Sequence, residues 1–527
     1  MRLARRIGFF AVFALVAAAC EAQPPAEERP AREETFVYAT TSEAIVGWDP
    51  ATENSNSILP LSNVYETLTF YDPETQDVEP LLATEWSTSP DGLTWTFKVR
   101  RGVKFHTGRE MTARDVEASI ERTIELGQGA AYIWSAVRSI EAVDDETVVF
   151  RLKHPAPIDL IASAGYAAYI YDTKVEGVED LNAWFEEGNE TGTGPYRVAE
   201  WNPGEEVELR LEAFPDYWQG WDGPHYQRVV YRVVPEATTS AQLLRAGEVT
   251  FVQRMTPQLF QTFEGDPGFE TVEGSSWQNL LALLNTRKGP LADVTVRRAI
   301  SYAIDYEGII SALQGAAVPS SGVVPPGLWG HFDDLGHVHD PGRAAELLAE
   351  AGYGPGGAPM ELELTYTQGD ADEQLVATII KSNLADLNVD VKVRGLQWQT
   401  QWAKAKSADP PERQDIFIFY WWPDYADPIS WFANLFHCED EPFFNLSYYC
   451  NPRLDEMIDA VPTYTATDRE RALAMYREMQ EILLEDMPAV YLYNQNYQHT
   501  MLSSVGGYRI NPAYPNVVFA YEVFPEE

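Results

Sequence analysis

Residues 360–396, MELELTYTQGDADEQLVATIIKSNLADLNVDVKVRGL, change their pattern of apolar residues twice. Apolar and polar residues alternate in LELTY, a run of helix-forming residues follows over 372–387, and alternation returns in VDVKVR. Strict alternation is typical of a strand, and a longer run without turn residues is typical of a helix. A strand–helix–strand unit joins parallel strands by a right-handed crossover. These residues therefore predict an α/β fold built on a parallel sheet.

The chain continues from this unit into a run of aromatic residues. After a predicted helix around 398–406, the run DIFIFYWW (415–422) is apolar almost throughout, as expected of a strand covered on both faces. Residues 421–425 then lie just beyond the carboxyl end of that strand, where open α/β sheets bind ligands. The stretch FYWWPDYADPISW (419–431) places six aromatic rings around two aspartates. It predicts a pocket that stacks a ligand and binds its positive end at Asp424, while core packing and a merely aromatic loop stay open as alternatives.

Helix-start signals recur elsewhere in the chain. Thr112 and Asp115 form a capping-box pattern, in which each side chain bonds the backbone of the other residue. The residues that follow place Val116, Ile120 and Ile124 on one face of the predicted helix. Two more helices are predicted to begin at aspartates that cap them, Asp293 and Asp340.

The composition limits the class of protein. A chain of 527 residues is too long for one simple core and is expected to form about two or three domains. It carries 80 acidic against 38 basic residues, a formal charge of -42, whereas nucleic-acid binding requires a basic surface. The sequence has no G-x-S-x-G, no H-E-x-x-H and no glycine-rich phosphate loop, so neither an enzyme nor a cofactor is predicted. In a chain this acidic, a glycosidase-like pair of carboxylates stays open.

The first residues are typical of an export signal. MRLARR is a cationic segment, IGFFAVFALVAA is apolar, and AAA (17–19) provides the small residues of a cleavage site. Because Cys20 follows directly, residues 1–20 are predicted to be a lipoprotein signal peptide whose cysteine carries a lipid. Ordinary cleavage at the same bond stays open, because Ala17 stands where lipoprotein signals usually have Leu or Val. Residues 21–35, rich in Pro, Glu and Ala, are predicted to be a flexible tether.

Cysteines and histidines are the candidates for a covalent bond or a metal site. In an exported chain, the closely spaced pair Cys438 and Cys450 predicts a disulfide, with two free buried thiols as the alternative. His331, His337 and His339 are spaced closely enough to suggest a metal cluster. They lie just before the capping aspartate of a predicted helix, where solvated loop histidines are more common. No metal is therefore predicted.

Six motifs, in a fixed order, carry a resemblance to a known family. They are PLLATEWSTSPDGLTWTFKVRRGVKFHTGREMTARDVEASIER (80–122), GTGPYRVAEWNPG (192–204), FPDYWQG (214–220), LLNTRKGPLADVTVRRAISYAID (283–305), HDPGRAAELLAEAGY (339–353) and WPDYADP (422–428). Together they make the chain resemble the family 5 solute-binding proteins of bacterial ABC importers, the peptide/nickel-binding group. The resemblance covers nearly all of the chain after the tether.

The resemblance implies a two-lobe, periplasmic-binding-protein-like α/β fold of type II, cluster C, with a hinge. Lobe I is expected to be discontinuous, formed by 36–70, 191–283 and 495–527. An inserted α+β subdomain of this lobe is expected over 71–190, and lobe II over 284–494. The lobes are expected to close on a ligand about the hinge.

The resemblance also implies a function. The chain is expected to be exported to the periplasmic or cell-surface face of the membrane, to be lipid-anchored through Cys20, and to be a monomer. It would capture a peptide or peptide-like ligand between its lobes and deliver it to an ABC permease and, through that, to the ATPase. A cationic small molecule, an oligosaccharide or a metal complex on the same fold stays open as the ligand. A secreted hydrolase is the least favoured alternative.

Peptide-binding relatives hold the ligand's α-ammonium group with an aspartate in a W-x-x-D-Y context, which here is Trp421, Asp424 and Tyr425. The resemblance therefore implies that Asp424 binds an ammonium group. The complete set of expected ligand-binding residues is Asp424, Trp421, Trp422, Tyr425, Trp398 and Trp277. For each tryptophan, core packing stays open. Asp427 is expected to cap the next helix, with Pro428 as its first residue.

A basic residue that relatives use is missing. Dipeptide-specific relatives bind the ligand carboxylate with an arginine soon after the strand equivalent to LELTY, where this chain has TQGD (367–370). Phe419 and Tyr420 stand where oligopeptide-binding relatives can have a basic residue. A strict dipeptide binder is therefore disfavoured. A longer peptide held by its backbone or a cationic ligand without a carboxylate fits better, and the rings also suit a quaternary ammonium group or a sugar face.

Overall fold

The computed structural model of the protein describes residues 34–45, 47–53 and 55–526. Its strands, numbered in chain order, are β1 Thr35–Thr40, β2 Thr69–Asp72, β3 Asp77–Pro80, β4 Ala83–Thr88, β5 Thr94–Val99, β6 Val137–Ala142, β7 Thr147–Leu152, β8 Tyr196–Trp201, β9 Val207–Ala213, β10 Arg228–Val233, β11 Phe251–Val252, β12 Phe269–Leu284, β13 Ala317–Val318, β14 Met360–Thr367, β15 Val389–Leu396, β16 Ile416–Trp421, β17 Ala489–Leu502, β18 Val505–Gly506 and β19 Phe524–Pro525. Its α-helices are α1 Ile58–Val64, α2 Ala113–Leu126, α3 Ile158–Ile161, α4 Leu181–Glu186, α5 Ala237–Arg245, α6 Pro257–Gln261, α7 Val294–Ala303, α8 Tyr306–Ala312, α9 Pro341–Glu350, α10 Ala371–Ala385, α11 Trp398–Ala405, α12 Ile429–Leu435, α13 Pro452–Thr467 and α14 Arg469–Asp486.

One large sheet connects two lobes. Its strand order is β15-β14-β16-β12-β17-β11-β1-β10-β9-β8, with β13 also paired to β17. Strand β14 pairs in parallel with both β15 and β16, and α10 forms the crossover between β14 and β15. The predicted strand–helix–strand unit is thus confirmed. On the other side of β12 and β17, strand β1 pairs in parallel with β10 and β11, which gives the first lobe its own part of the sheet.

Strands β12 and β17 run through both lobes. They are antiparallel, with 16 and 14 residues, and their register shifts between Ser275 and Asn279. Beyond the shift, β12 also pairs with β16 of the second lobe. Within the shift, Trp277 has a φ of 49°, in the left-handed region that non-glycine residues rarely adopt. Because a bulge bends a strand, the chain changes direction here, where it passes from one lobe to the other.

A smaller antiparallel sheet, in the order β4-β5-β7-β6, lies within the stretch that was expected to be an insertion. Helix α2 packs against this sheet and begins with the predicted capping box of Thr112 and Asp115. Of the three residues predicted to share a face of α2, Val116 and Ile120 are buried, and Ile124 is 39% exposed. Ile124 lies in the last turn of the helix, which ends at Leu126. The bounds of the lobes and of the insertion stay a prediction.

The second lobe has its own apolar core. Side chains from one face of its sheet and from α7, α9 and α10 fill it, among them Leu284, Val296, Leu348, Leu364 and Ile380. Burying one such side chain is worth about 1.5–3 kcal/mol. The aspartates predicted to cap α7 and α9 do so by accepting backbone N–H bonds. The site therefore rests on a rigid half-sheet.

Two predictions concern the cysteines of an exported chain. Cys438 and Cys450 are joined by a disulfide that closes the loop after α12, with their Cα atoms 4.6 Å apart. The predicted signal peptide and Cys20 lie outside the described residues. Within the residues that are described, no helix is long and apolar enough to cross a membrane.

Candidate ligand-binding site

The site is built at the edge of the sheet where β14 and β16 end. Because the two strands are parallel, their carboxyl ends lie at the same edge. Asp370 follows β14, and Asp424 follows β16. From the first lobe, the short 3-10 helix Ala131–Trp134 reaches this edge. The edge is therefore one wall of a cleft between the lobes.

The Asp424 carboxylate accepts hydrogen bonds from neutral donors of both lobes. Its Oδ2 accepts from Ser430 Oγ at 2.8 Å and from Asn434 Nδ2 at 3.4 Å, both on α12. The hydroxyl of Tyr132, from the first lobe, donates to the same oxygen. Asn434 Nδ2 also donates to Tyr132 Oη at 2.7 Å. Helix α12 thus positions Asp424 directly against a tyrosine of the opposite lobe.

Burial dominates the electrostatics of Asp424. It raises the pKa of this carboxyl above its usual value, and the bonds from Tyr132, Ser430 and Asn434 lower the pKa by less. Burial also raises the pKa of Tyr132, and the neighbouring Asp424 raises it further. None of these three donors carries a charge. A ligand cation here would compensate a desolvated carboxylate that the protein leaves among neutral groups.

Two predicted tryptophans lie beside Asp424. Trp421 donates from Nε1 to Ser430 Oγ at 3.2 Å, so it shares a partner with the aspartate. Trp422 makes a side-chain hydrogen bond with Tyr166. The negative charge of Asp424 also raises the pKa of Tyr166. The structure therefore brings Trp421, Trp422 and Asp424 together at the cleft.

The other three predicted ligand-binding residues lie elsewhere. Trp398, at the start of α11, is 39% exposed, and its ring lies 5.3 Å from that of Trp402. Tyr425 is buried, with 8% of its surface exposed. Trp277 is 3% exposed and packs at the hinge against Tyr71, with ring centroids 5.4 Å apart. Core packing, the alternative left open for the tryptophans, describes the position of Trp277.

Asp427 caps the helix after the aromatic loop, as predicted. Pro428 has the helical angles of a first residue, and the assigned helix α12 follows from Ile429. Asp427 Oδ1 accepts from Ile429 N at 2.8 Å and from Tyr476 Oη at 2.6 Å. Burial raises the pKa of Asp427 to about 6. The Asp427 side chain therefore ties the aromatic loop to α12 and to Tyr476 of α14.

A second contact between the lobes lies beside a small cavity. Arg254, which follows β11 in the first lobe, bonds Asp372 through Nη2, and its Nη1 lies 3.5 Å from Asp370 Oδ2. The cavity has a volume of about 160 Å³, and Tyr420 of β16 also lines it. Asp370 is part of the TQGD segment that lacks the expected arginine. The sequence analysis missed Arg254, because its partners lie more than a hundred residues further along the chain.

The three histidines do not converge. His337 is half-buried; its Nε2 accepts from Tyr491 N at 2.9 Å, and desolvation lowers its pKa to about 3. The prediction of a solvated loop histidine is wrong for this residue, because the loop folds back onto β17. His331 Nδ1 bonds the Val324 carbonyl at 2.8 Å, and His339 lies 3.8 Å from an aspartate. Among the described residues, the cluster of metal-ligand size is Cys438, Cys450 and Asp455, whose cysteines form the disulfide.

Comparison with known proteins gives the family. The family model described as bacterial extracellular solute-binding proteins, family 5, middle region, matches residues 77–443. The chain belongs to this family and is an extracytoplasmic solute-binding protein of the two-lobe, type II class that serves ABC importers. Members of this family are binding proteins.

Several known proteins are similar along most of their length. The probable D,D-dipeptide-binding periplasmic protein DdpA of Escherichia coli (strain K12) is 29% identical over 449 residues, which cover 84% of each chain. The dipeptide-binding protein of the same organism is 28% identical, over 91% of this chain and 92% of its own. Among solved structures, the periplasmic binding protein DppA from Helicobacter pylori, in complex with the peptide STSA, is 27% identical with a TM-score of 0.79. The match covers 94% of this chain and 98% of that chain.

Proposed function

We infer that the protein captures a peptide or peptide-like ligand between its lobes and delivers it to a membrane permease and, through that, to an ATPase. Asp424 binds the ligand's ammonium group, and Trp421 and Trp422 stack on the ligand beside it. Trp398 lies further along the second lobe as a contact for a longer ligand. Tyr425 contributes by packing under the aromatic loop, and Trp277 contributes by packing at the hinge.

One observation carries this proposal. The Asp424 carboxylate lies between the lobes and accepts hydrogen bonds from Tyr132, Ser430 and Asn434, all neutral. Such a group gains most from a cation that arrives with the ligand, because a charge-assisted hydrogen bond is worth about 1.5–3 kcal/mol. The names of the similar proteins, which bind dipeptides or were solved with a peptide, support an α-ammonium group as that cation.

A cationic ligand without a carboxylate is the second candidate. It is favoured by the pairing of Arg254 with Asp370 and Asp372, which leaves the cavity beside them with more acidic than basic side chains. An oligosaccharide or a metal complex has weaker support, because neither needs the half-buried Asp424 carboxylate. A hydrolase has the least, since the family is one of binding proteins.

The location follows from the family and from the first residues of the chain. The protein acts outside the cytoplasm, and we propose that it is held at the membrane by a lipid on Cys20 and works as a monomer. Labelling growing cells with a fatty acid should tag the wild-type protein and leave Cys20→Ser untagged. Equal labelling of both proteins would contradict the anchor.

The direct test is to identify what the protein carries. Mass spectrometry of small molecules released by denaturing the purified protein should find peptides or compounds with a free amine. The Asp424→Asn variant should carry much less of them, whereas Asp409→Asn, at an exposed site of the same lobe, should carry as much as the wild type. A neutral sugar, retained equally by all three proteins, would contradict the proposal. So would turnover of added peptides or glycosides.

A further inference from the structure

The contact between Arg254 and the first turn of α10 joins the lobes with charged groups. The Arg254 guanidinium bonds Asp372 through Nη2 and lies within 3.5 Å of Asp370 through Nη1. The arginine side chain is 37% exposed, and the two aspartates are 17% and 19% exposed, so water reaches the cluster only in part. Ion pairs in such surroundings are screened less by salt than fully exposed pairs.

Bonds within the second lobe hold the carboxylate of Asp370 in place. Asp370 is the N-cap of α10, and its Oδ1 accepts from Asp372 N at 3.0 Å and from Glu373 N at 2.9 Å. This leaves Asp370 Oδ2 for Arg254. Because the positive end of a helix dipole favours anions in its first turn, α10 presents two negative groups to the first lobe, of which Asp370 is held by the helix backbone.

The cavity beside this cluster lies at the same edge of the sheet as Asp424. Tyr420 of β16 lines it, and Asp424 follows four residues later at the end of that strand. Of the described residues that line the cavity, Arg254 is the one cation, and Asp370 and Asp372 are the two acids. A ligand that reaches from Asp424 into this cavity therefore meets no unpaired positive charge.

We propose that Arg254, Asp370 and Asp372 form a clasp that determines which ligands the cleft accepts. When the lobes close over the ligand, Asp370 and Asp372 pair with Arg254. The two carboxylates then lie next to the ligand. The clasp therefore selects ligands whose end lying here is neutral or cationic, and it rejects a free carboxylate. This inference rests on the proposed function, in which the ligand lies between the lobes.

The selectivity is tested with one peptide in two forms. The tripeptide Ala-Phe-Ala, as the free acid and as its C-terminal amide, is titrated into protein stripped of small molecules, and heat is measured. The wild type should bind the amide at least about tenfold more tightly, a difference of about 1.4 kcal/mol. The double variant Asp370→Asn/Asp372→Asn releases Arg254 and should lose or reverse this preference.

A matched control removes the same charge elsewhere. The double variant Asp386→Asn/Asp390→Asn changes two exposed aspartates of the same lobe and should keep the wild-type preference. Equal affinity of the wild type for acid and amide would overturn the clasp. So would a preference that the Asp370→Asn/Asp372→Asn variant retains.

A second measurement needs no ligand and separates failure of the clasp from failure of the peptide proposal. Spin labels at Thr238→Cys on α5 and Glu456→Cys on α13 report the distance between the lobes. In stripped protein, Arg254→Gln should deplete the closed fraction that the clasp holds and so shift the mean of the distance distribution to longer values. Arg394→Gln, which breaks an ion pair with Glu363 inside the second lobe, should not.

The two measurements together have distinct outcomes. If neither form of the tripeptide binds the wild type, the peptide proposal fails, and the label distances alone decide on the clasp. If Arg254→Gln leaves those distances unchanged, the clasp is overturned, whatever the protein binds.

Discussion

Asp424 is the residue on which recognition depends, because it combines a desolvated carboxylate with a position between the lobes. Replacing it with Asn keeps the size of the side chain and removes the charge. Affinity for a cationic ligand should fall by at least about tenfold, the equivalent of about 1.4 kcal/mol. The fold should survive, because Asn can still accept a bond from Ser430. Calorimetry on stripped protein measures the change.

The matching control uses the ligand rather than the protein. Acetylating the ligand's amine should weaken binding to the wild type and should hardly matter to Asp424→Asn. Trp421→Ala should weaken both forms alike, since stacking does not depend on an ammonium group. If Asp424→Asn binds the unmodified ligand as well as the wild type does, then the aspartate is structural.

At the residue scale, only part of the site could be predicted from the sequence. Asp424, Trp421 and Trp422 lie close together in one motif that follows a buried strand, so a local pattern identifies them. Tyr132 and Tyr166 cannot be found this way, because only tertiary contact across the cleft brings them to the loop.

At the scale of elements, the disulfide between Cys438 and Cys450 fixes the loop that follows α12. Changing both cysteines to Ser should lower the free energy of unfolding by about 3 kcal/mol in the chain-entropy model. Chemical denaturation measures this, and the reduced wild type should resemble the variant. Free-thiol counting on the unfolded, unreduced wild type is the control: two reactive cysteines would contradict the bond.

Periodic elements could be predicted, and non-local ones could not. The strand–helix–strand unit is visible because its alternation and its helical run are local patterns. The bulge at Trp277 is not visible, since it depends on the pairing of β12 with β17, more than two hundred residues away. The cap of α12 at Asp427 is a local pattern and could be predicted, whereas the bond from Tyr476 of α14 to the same carboxylate could not.

For the whole molecule, several buried carboxyl groups predict how stability depends on pH. Burial raises the pKa of Glu53 and of Glu66 to about 7, of Asp427 to about 6 and of Glu373 to about 8. A carboxyl whose folded pKa exceeds its unfolded value binds more protons in the folded state, so stability falls as pH rises through the folded pKa. The formal charge of -42 acts in the same direction.

The midpoint of thermal unfolding should therefore be higher at about pH 5.5 than at about pH 7.5, by about 2 °C for each kcal/mol gained. Glu66→Gln keeps an acceptor for Tyr217 and Trp218 and should reduce this pH dependence. Glu79→Gln, at an exposed position, should leave the dependence unchanged. A midpoint that rises with pH over this range, in the wild type, would contradict the prediction.

The two-lobe architecture was implied by six motifs rather than by any periodicity, and it is the part of the account on which the rest depends. Motif order could predict it because each motif belongs to a different element of one fold. Two contacts join the lobes: Tyr132 bonds Asp424, and Arg254 bonds α10. Neither could be predicted from a local sequence pattern, because each forms only when the lobes are closed.

Small-angle X-ray scattering tests the central claim, that the lobes enclose the ligand, most directly. Protein stripped of small molecules is measured before and after the molecule released from it is restored at saturating concentration. The radius of gyration should decrease, and Asp424→Asn should need a higher concentration for the same decrease. An unchanged scattering profile of the wild type at saturation would show a rigid groove and contradict capture by closure.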